Sequence, residues 1–325
     1  MKIATLRTTD GLQPAVQLSG GDFLNLTTAH DTGHLKGQPI RSTKSLLDAD
    51  GAAHKAVREL IDHVESNAGN SKDQLSESAA LFPEASASLA APITPGFILA
   101  TGAAYRDHLE EMNVVLPTIP SGFQKVPYAL AGPQDDLILP AQAPNMIDFE
   151  CEFACVFSKT CHNVGEDEAL DYVAGYTMIN DVSDRAAAGA FIQSLSAGNA
   201  KHSCELLEEV LHGKQYPTFC PLGPVVATKD EIPDPHSVEI GTRLNGELMQ
   251  SANTKDLIFK IAFVIAHFSQ WYRFEPGDVL TTGSPAGVGF ARDPKIFLKP
   301  GDVVEVFGGN IGSLRNTVTS AAERD

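Results

Sequence analysis

Short stretches of this chain in which apolar and polar residues alternate with a period of two carry the pattern of half-buried strands. Residues 1–28 give three short alternating stretches, MKIATLRT, QPAVQLSG and DFLNLTT, split by Gly and Asp. They predict a small β meander. Residues 50–66 switch to helical spacing, with Val57, Leu60, Ile61 and Val64 on one face. The next stretch, NAGNSKDQLSESAALFPEASASLAAPITPG, is rich in Ser, Ala and Gly and ends in prolines. It reads as a linker or surface segment with at most one helical turn, and it places a domain boundary near residue 92. The expected organisation is a small N-terminal α+β domain with its linker over 1–92, followed by a larger domain over 93–325.

Beyond the boundary the texture changes. GFILATG predicts a buried strand ending at Gly102, and AYRDHLEEM a short helical stretch. DDLILP, ECEFACVFS, AGYTMIND, GPVVAT, SVEIGTRLNG, DVLTTG and DVVEVFGG predict strands bounded by Gly, Pro or Asp. One helix is expected among them, over 255–272. The Asn-Gly pair in RLNGEL marks a two-residue hairpin turn. Many strands and few helices define a sheet-rich α+β fold rather than a doubly wound βαβ array. No internal repeat is present.

Composition narrows the function. The net charge is −17 with no clustered basic tract, which argues against a nucleic-acid backbone or an anionic membrane as partner. Cys151, Cys155, Cys161, Cys204 and Cys220 are odd in number and lack CxxC spacing, so they read as reduced thiols rather than a disulfide framework or zinc site. The start, MKIATLRTTDG, has no apolar core typical of a signal peptide, and LIFKIAFVIAHF is too short to span a bilayer. A cytoplasmic protein is expected.

The candidate chemistry begins with DFECEF. On a strand, Glu150 and Glu152 point to one face, about 6.5–7 Å apart. The following ACVF is apolar, and unpaired carboxylates on a buried strand are costly. They must be exposed, paired with cations, or bound to a metal. A hard divalent ion such as Mg²⁺ or Mn²⁺ takes such oxygen ligands, and Asp181, where a strand stops in YTMINDVSDR, offers a third. An edge strand with a solvated acidic face would give the same pattern.

His108 and Glu111, spaced i, i+3, share a helical face with Tyr105. A carboxylate beside an imidazole fixes its tautomer and raises its basicity, making a general base. A surface helix with incidental charges is the alternative. Lys214 lies in the Pro- and aromatic-rich HGKQYPTFCPLGP, either exposed or acting as an electrophile. TTGSPAGVG, neither a Walker A loop nor a dinucleotide fingerprint, is a loop able to offer backbone N–H groups to an anion.

Taken in order, GAAYRDHLEEM, DFECEF, GYTMINDVSDR, GKQYPTFCPLGP, RLNGELMQSANTKDLIF, PGDVLTTGSPAGVG and FLKPGDVVEVFGGNIGSLRNTV resemble the fumarylacetoacetate hydrolase family over about residues 95–319. The resemblance implies a mixed β-roll catalytic domain, a homodimer and one Mg²⁺ or Mn²⁺ held by Glu150, Glu152 and Asp181. It assigns catalysis to His108, Glu111 and Lys214. It assigns substrate contacts to Tyr105, to Gln250 and Thr254 of the hairpin motif, and to Gly283 and Ser284 of the family's TGTP loop. Lys125, in GFQKVPYALAGP, matches a basic residue near the family's site entrance.

The chain also departs from the pattern. DRAAAGAF replaces the Arg-Asp and glutamine that follow NDVS in many relatives, and Pro217 stands where some carry an acid. AFIQSLSAGNAKHSCELLEEVLH adds length to the pattern, and a helix or lid over the site is expected there. The resemblance implies a small-molecule 2-oxo acid or β-dicarbonyl substrate. The expected activity is hydrolysis of a C–C bond in a 2,4-dioxo acid, of the acylpyruvate or aromatic-catabolism type. The alternatives are a lyase (decarboxylase, hydratase or dehydratase) acting on a 2-oxo acid or deoxy sugar acid, and a non-catalytic metal-dependent binding protein.

Overall fold

The computed structural model describes residues 1–143 and 145–321. Its framework is a 12-stranded mixed sheet facing a five-stranded one, with a two-stranded pair beside them. In the large sheet, Cys151–Phe157 lies between Val173–Asn180 and Val279–Thr281, antiparallel to both. Val279–Thr281 in turn pairs parallel with Ile98–Gly102, whose other neighbour is the edge strand Ser121–Lys125. The five-stranded sheet contains the Asn-Gly hairpin Glu239–Leu244 and Glu247–Asn253, then Val303–Gly308, Gly312–Ser320 and Leu137–Leu139. Phe153, Tyr176, Met178, Val306 and Leu314, all buried, belong to the core the two sheets enclose. This is the sheet-rich α+β architecture the alternation predicts.

The N-terminal meander forms as Lys2–Thr8, Gly11–Gln17 and Phe23–Asn25, and its first strand pairs Lys2 with Ala227 and Ile3 with Val226. One sheet therefore runs through residues on both sides of position 92. The Ser/Ala-rich segment carries more structure than its composition suggests. It holds a helix, Ala68–Glu77, and two-residue strands, Leu81–Phe82 and Leu89–Ala90, that pair with the meander. Ser71 and Leu75, one helical turn apart, supply its buried face.

The helix expected over 255–272 is shorter, Ile261–Ser269. Asn253 caps a single 3₁₀ turn at Thr254–Asp256, and Ile258 donates its N–H to Ala104 O at 2.8 Å. Leu257 bridges Tyr105 in extended form, so the helix starts only once Ile261 N reaches His236 Nε2 at 3.1 Å. The extra length before Lys214 forms two helices, Ala188–Ser196 and Ala200–His212, packed on each other.

Burial separates the five cysteines. Cys204 is exposed and the other four are buried. Burial pushes the Cys220 thiol up to about 12 and that of Cys161 to about 11. Since the thiolate is the reactive form, iodoacetamide on the native protein should modify one thiol, Cys204, and all five only after denaturation. Rapid modification of a second native thiol, read by peptide mass spectrometry, would contradict this burial pattern.

Candidate active site

Glu150, Glu152 and Asp181 converge at one end of the central strands. Glu152 lies on Cys151–Phe157 with Glu150 just before it, and Asp181 follows Val173–Asn180, its N–H donating to Glu150 O at 2.9 Å. Strand periodicity puts both glutamates on one face, and antiparallel pairing brings the end of the neighbouring strand alongside. All three are buried, with one carboxylate oxygen from each lying within 4.8 Å of the others.

Three buried cations surround this triad. Lys214 Nζ donates to Glu150 Oε2 at 2.6 Å, Asp181 Oδ2 at 2.5 Å and Ser183 Oγ at 2.8 Å. Lys125 Nζ donates to Asp181 Oδ1 at 2.5 Å and to the Lys214 carbonyl at 2.7 Å. Lys125 is thus a buried partner of Asp181, 1% exposed, rather than a residue of the entrance. Arg185 donates through Nη2 to Glu150 Oε1 at 2.5 Å and through Nε to Asp148 Oδ2 at 3.1 Å.

The electrostatics follow from these contacts. Burial alone would raise the Glu150 carboxyl, but Arg185 and then Lys214 outweigh it and hold the group well below the ordinary carboxylate range. Burial would likewise lower Lys214, yet Asp181 and Glu150 raise it above its usual value and keep it an ammonium. Glu152 goes the other way. Burial, then the charges of Asp181 and Glu150, push it well above the usual range. Its Oε2 is buried without a hydrogen-bond partner.

That orphaned oxygen is the test of whether the site fits a cation. Asp148, Glu150, Glu152 and Asp181 make four buried acids against Lys125, Arg185 and Lys214, three buried bases. With all four acids ionised the cluster lacks one positive charge; a hard divalent ion would engage the orphaned oxygen and supply it with one to spare, and an all-carboxylate donor set suits Mg²⁺ or Mn²⁺. The residues present fit such an ion.

The helical turn Arg106–Glu111 sets His108 Nδ1 2.7 Å from Glu111 Oε1. Glu111 Oε2 accepts the Gly287 N–H at 2.9 Å. His108 and Glu111 keep 13% and 21% of their side chains exposed, and a positive charge on His108 would add to the groups that lower Glu150. The imidazole–carboxylate pair therefore opens toward solvent beside a buried triad.

The C-terminal end of the glycine-rich loop turns N–H groups toward the protein's own carboxylates. Gly287 donates to Glu111, and Gly289 and Phe290 donate to Asp148 at 2.8 and 3.0 Å. The anions cradled by this end of the loop are the chain's own carboxylates. Gly283, at φ +80°, leaves no room for a side chain, since a Cβ would lie 2.6 Å from that of Ala104. Ser284 Oγ accepts from Gln250 Nε2 at 2.9 Å.

Gln250 has all four amide positions filled. Its Oε1 accepts from Cys151 N at 2.9 Å and Thr242 Oγ1 at 2.8 Å, and its Nε2 donates to Ser284 and to Pro285 O at 2.8 Å. It ties the backbone between the two glutamates to the loop. Thr254 is wholly buried and accepts the Val238 N–H at 3.0 Å. Tyr105 is wholly buried in the same apolar cluster as Cys151 and Phe153, its hydroxyl without a partner and its pKa raised by burial. Gln250 and Thr254 are thus hydrogen-bonded into the framework in this conformation, whereas the Tyr105 hydroxyl is buried without a partner. Asp148 and Arg185 went unrecognised in the sequence, although Asp148 opens DFECEF and Arg185 follows the acid-bearing turn.

A buried three-carboxylate centre with a buried lysine and an adjacent imidazole–carboxylate pair has the groups needed to stabilise anionic oxygen and to move protons. The profile of the fumarylacetoacetate (FAA) hydrolase C-terminal family matches residues 97–319, and the chain belongs to this family. An oxaloacetate tautomerase of Xenopus laevis (fahd2, mitochondrial) is 38% identical over 263 residues, 81% of this chain and 78% of its own. Human oxaloacetate tautomerase FAHD2B, mitochondrial, is 36% identical over 270 residues, 83% and 81% of the two chains. Among solved structures, a fumarylacetoacetate hydrolase from Exiguobacterium antarcticum superposes with a TM-score of 0.74 at 27% identity, covering 98% of this chain and 99% of that one. A maleylpyruvate hydrolase from Sphingobium sp. SYK-6 gives 0.72 at 25% identity, covering 99% and 100%. Among the described residues no helix is long and apolar enough to cross a membrane.

Proposed function

We propose that this chain is an enzyme of enolate chemistry on a small 2-oxo acid, and that its reaction is the keto–enol tautomerisation of oxaloacetate. The observation that carries this reading is the imidazole of His108, hydrogen-bonded through Nδ1 to Glu111, beside the triad and Lys214. With Nδ1–H donated to Glu111, Nε2 is left to exchange a proton. In the enol-forming direction the C3–H bond breaks, its proton passes to Nε2, the electron pair moves to the C2 oxygen, and Nε2 then gives its proton to that oxygen, which regenerates the base. Ketonisation is the reverse. Lys214, held as an ammonium, supplies positive charge near the developing enolate. A Mg²⁺ or Mn²⁺ ion on Glu150, Glu152 and Asp181 would add Lewis-acid stabilisation of the 2-oxo-carboxylate. The names of the relatives support the substrate.

A second reading is hydrolysis of a C–C bond in a 2,4-dioxo acid. It is favoured by the partial exposure of His108, which lets water reach the base, and by the likeness to maleylpyruvate hydrolase. Here His108 takes a proton from water, hydroxide adds to the distal carbonyl, and the bond to the enolate carbon breaks. A homodimer in the cytoplasm belongs to the same proposal; the word mitochondrial in the relatives' names describes those proteins.

The test follows the loss of enol absorbance from fresh enol-oxaloacetate, and separately the release of pyruvate from acetylpyruvate. Chelator-treated enzyme is assayed with and without Mg²⁺ or Mn²⁺. Cation-dependent ketonisation without acetylpyruvate cleavage is the expected result. Pyruvate from acetylpyruvate would make the chain a hydrolase, and pyruvate from oxaloacetate a decarboxylase. Cation binding with none of these activities would overturn both readings.

A further inference from the structure

The loop that joins the triad to the His108–Glu111 pair is itself held by a residue to which no function has been attached so far. Arg292 donates from Nε to Gly287 O at 3.2 Å and from Nη2 to Met249 O at 2.6 Å. These two carbonyls belong to segments in close contact, since a Cβ on Gly287 would lie 2.2 Å from Met249 O. Two carbonyl dipoles brought together repel, and a planar guanidinium spans both with a fixed fork, which a single ammonium cannot do equally well. On its other side, the same Gly287 presents its N–H to Glu111 Oε2 at 2.9 Å. Met249 precedes Gln250, whose amide holds Ser284 and Pro285 at the start of the loop. The loop is thus pinned at its start by Gln250 and near its end by Arg292, with the Glu111 contact between.

We propose that Arg292 is a positioning residue for the base. By clamping the Gly287 carbonyl to Met249 it restrains the backbone dihedrals of Gly287, and with them the N–H that orients Glu111 and through it the His108 imidazole. The hydrogen bonds of the guanidinium go to these two carbonyls and not to the His108–Glu111 pair or the triad; its effect passes across the Gly287 Cα, from the peptide unit that carries the C=O to the one that carries the N–H. The inference rests on the reading of His108 and Glu111 as the proton-transfer pair. It differs from a general stabilising effect in one respect: the contribution of Arg292 to turnover vanishes once Glu111 can no longer orient the imidazole.

A double-mutant cycle on the metal-loaded enzyme tests this. Arg292→Met should lower kcat by about 10–100-fold, the range typical when a partner of a functional side chain is lost. KM and Mn²⁺ affinity by calorimetry should change less than about twofold, as expected when an interaction specific to the transition state is removed. Arg292→Lys, able to reach one carbonyl well, should recover part of kcat. In a Glu111→Gln background, Arg292→Met should cost little more. Equal losses in the two backgrounds would overturn the positioning proposal while leaving the base assignment standing. Full activity in Glu111→Gln and in His108→Gln would instead remove the base assignment, and the proposal with it. Circular dichroism and thermal melts identify a variant that fails to fold, in which case Arg292→Lys and Arg292→Gln carry the comparison.

Discussion

His108→Gln is expected to lower turnover by about 10²–10⁴-fold, the usual contribution of a positioned general base, while cation binding stays within about twofold by calorimetry. Gln keeps the size and polarity of imidazole but cannot exchange a proton near neutrality. The two readouts separate because His108 makes no hydrogen bond to Glu150, Glu152 or Asp181; its one side-chain partner is Glu111, at 2.7 Å. Residual activity should remain, since Lys214 stays among Glu150, Asp181 and Ser183, and electrostatic stabilisation survives the loss of a proton carrier. The tautomerase and hydrolase readings both route a proton through this imidazole, so the expectation holds for either. Wild-type turnover in His108→Gln would remove the imidazole from the mechanism and leave Lys214 as the nearest group able to move a proton. Loss of cation binding as well would mean that the His108 side chain supports the triad, which its hydrogen bonding does not suggest.

How much of this site is legible in the sequence depends on the distance over which each contact acts. Glu150 and Glu152 are legible because a strand repeats every two residues, and Asp181 because it closes the next strand in order. His108 and Glu111 are legible because a helical turn brings i and i+3 together. The two pairs need local geometry only, and Asp181 needs only the antiparallel pairing of two consecutive strands. The contacts that complete the site join distant segments: Arg185 to Asp148 across 37 residues, Gly287 to Glu111 across 176, Gly289 to Asp148 across 141. No local period marks them. A glycine-rich loop also looks the same in sequence whether its N–H groups face a ligand or a carboxylate of its own chain. The helix over 255–272 failed for a related reason, since the pull of Tyr105 and Ala104 on residues 257–258 comes from a distant segment. The family resemblance named Gln250 and Thr254 but could not show that their hydrogen-bonding groups are taken up within the framework.

Glu152→Gln should separate stability from function more sharply than any other substitution in this centre. Glu152 is the one acid of the four whose carboxylate keeps a buried oxygen with no partner, and burial with the charges of Asp181 and Glu150 raises its pKa well above the usual range. A buried acid with a raised pKa binds its proton more tightly in the folded chain than in the unfolded one. Folding stability then falls as pH rises above the ordinary carboxylate range, and levels off only past the raised folded pKa. In chelator, the wild-type melting temperature should therefore decline as pH is raised from about 4.3, the unperturbed glutamate value. Glu152→Gln, nearly isosteric and uncharged, should lose the Glu152 share of that decline, leaving the part due to Asp148, whose carboxyl burial also raises, and should melt higher than wild type at neutral pH. With Mn²⁺ present the order should reverse. A divalent ion on Glu150, Glu152 and Asp181 stabilises the folded wild type by mass action, by about 2.7 kcal/mol at a hundredfold excess over Kd. An amide oxygen in place of the carboxylate should weaken binding by at least about 10–100-fold, the loss common for altered support of a metal site. The crossing of the two melting series is the diagnostic. If Glu152→Gln melted lower than wild type in chelator at neutral pH, the carboxylate would have a partner that stabilises its charge, and the account of an acid kept in place for a cation would fail. If the two proteins bound Mn²⁺ equally, Glu152 would be no ligand, and the triad would reduce to the ion pairs of Glu150 and Asp181 with their lysines and Arg185.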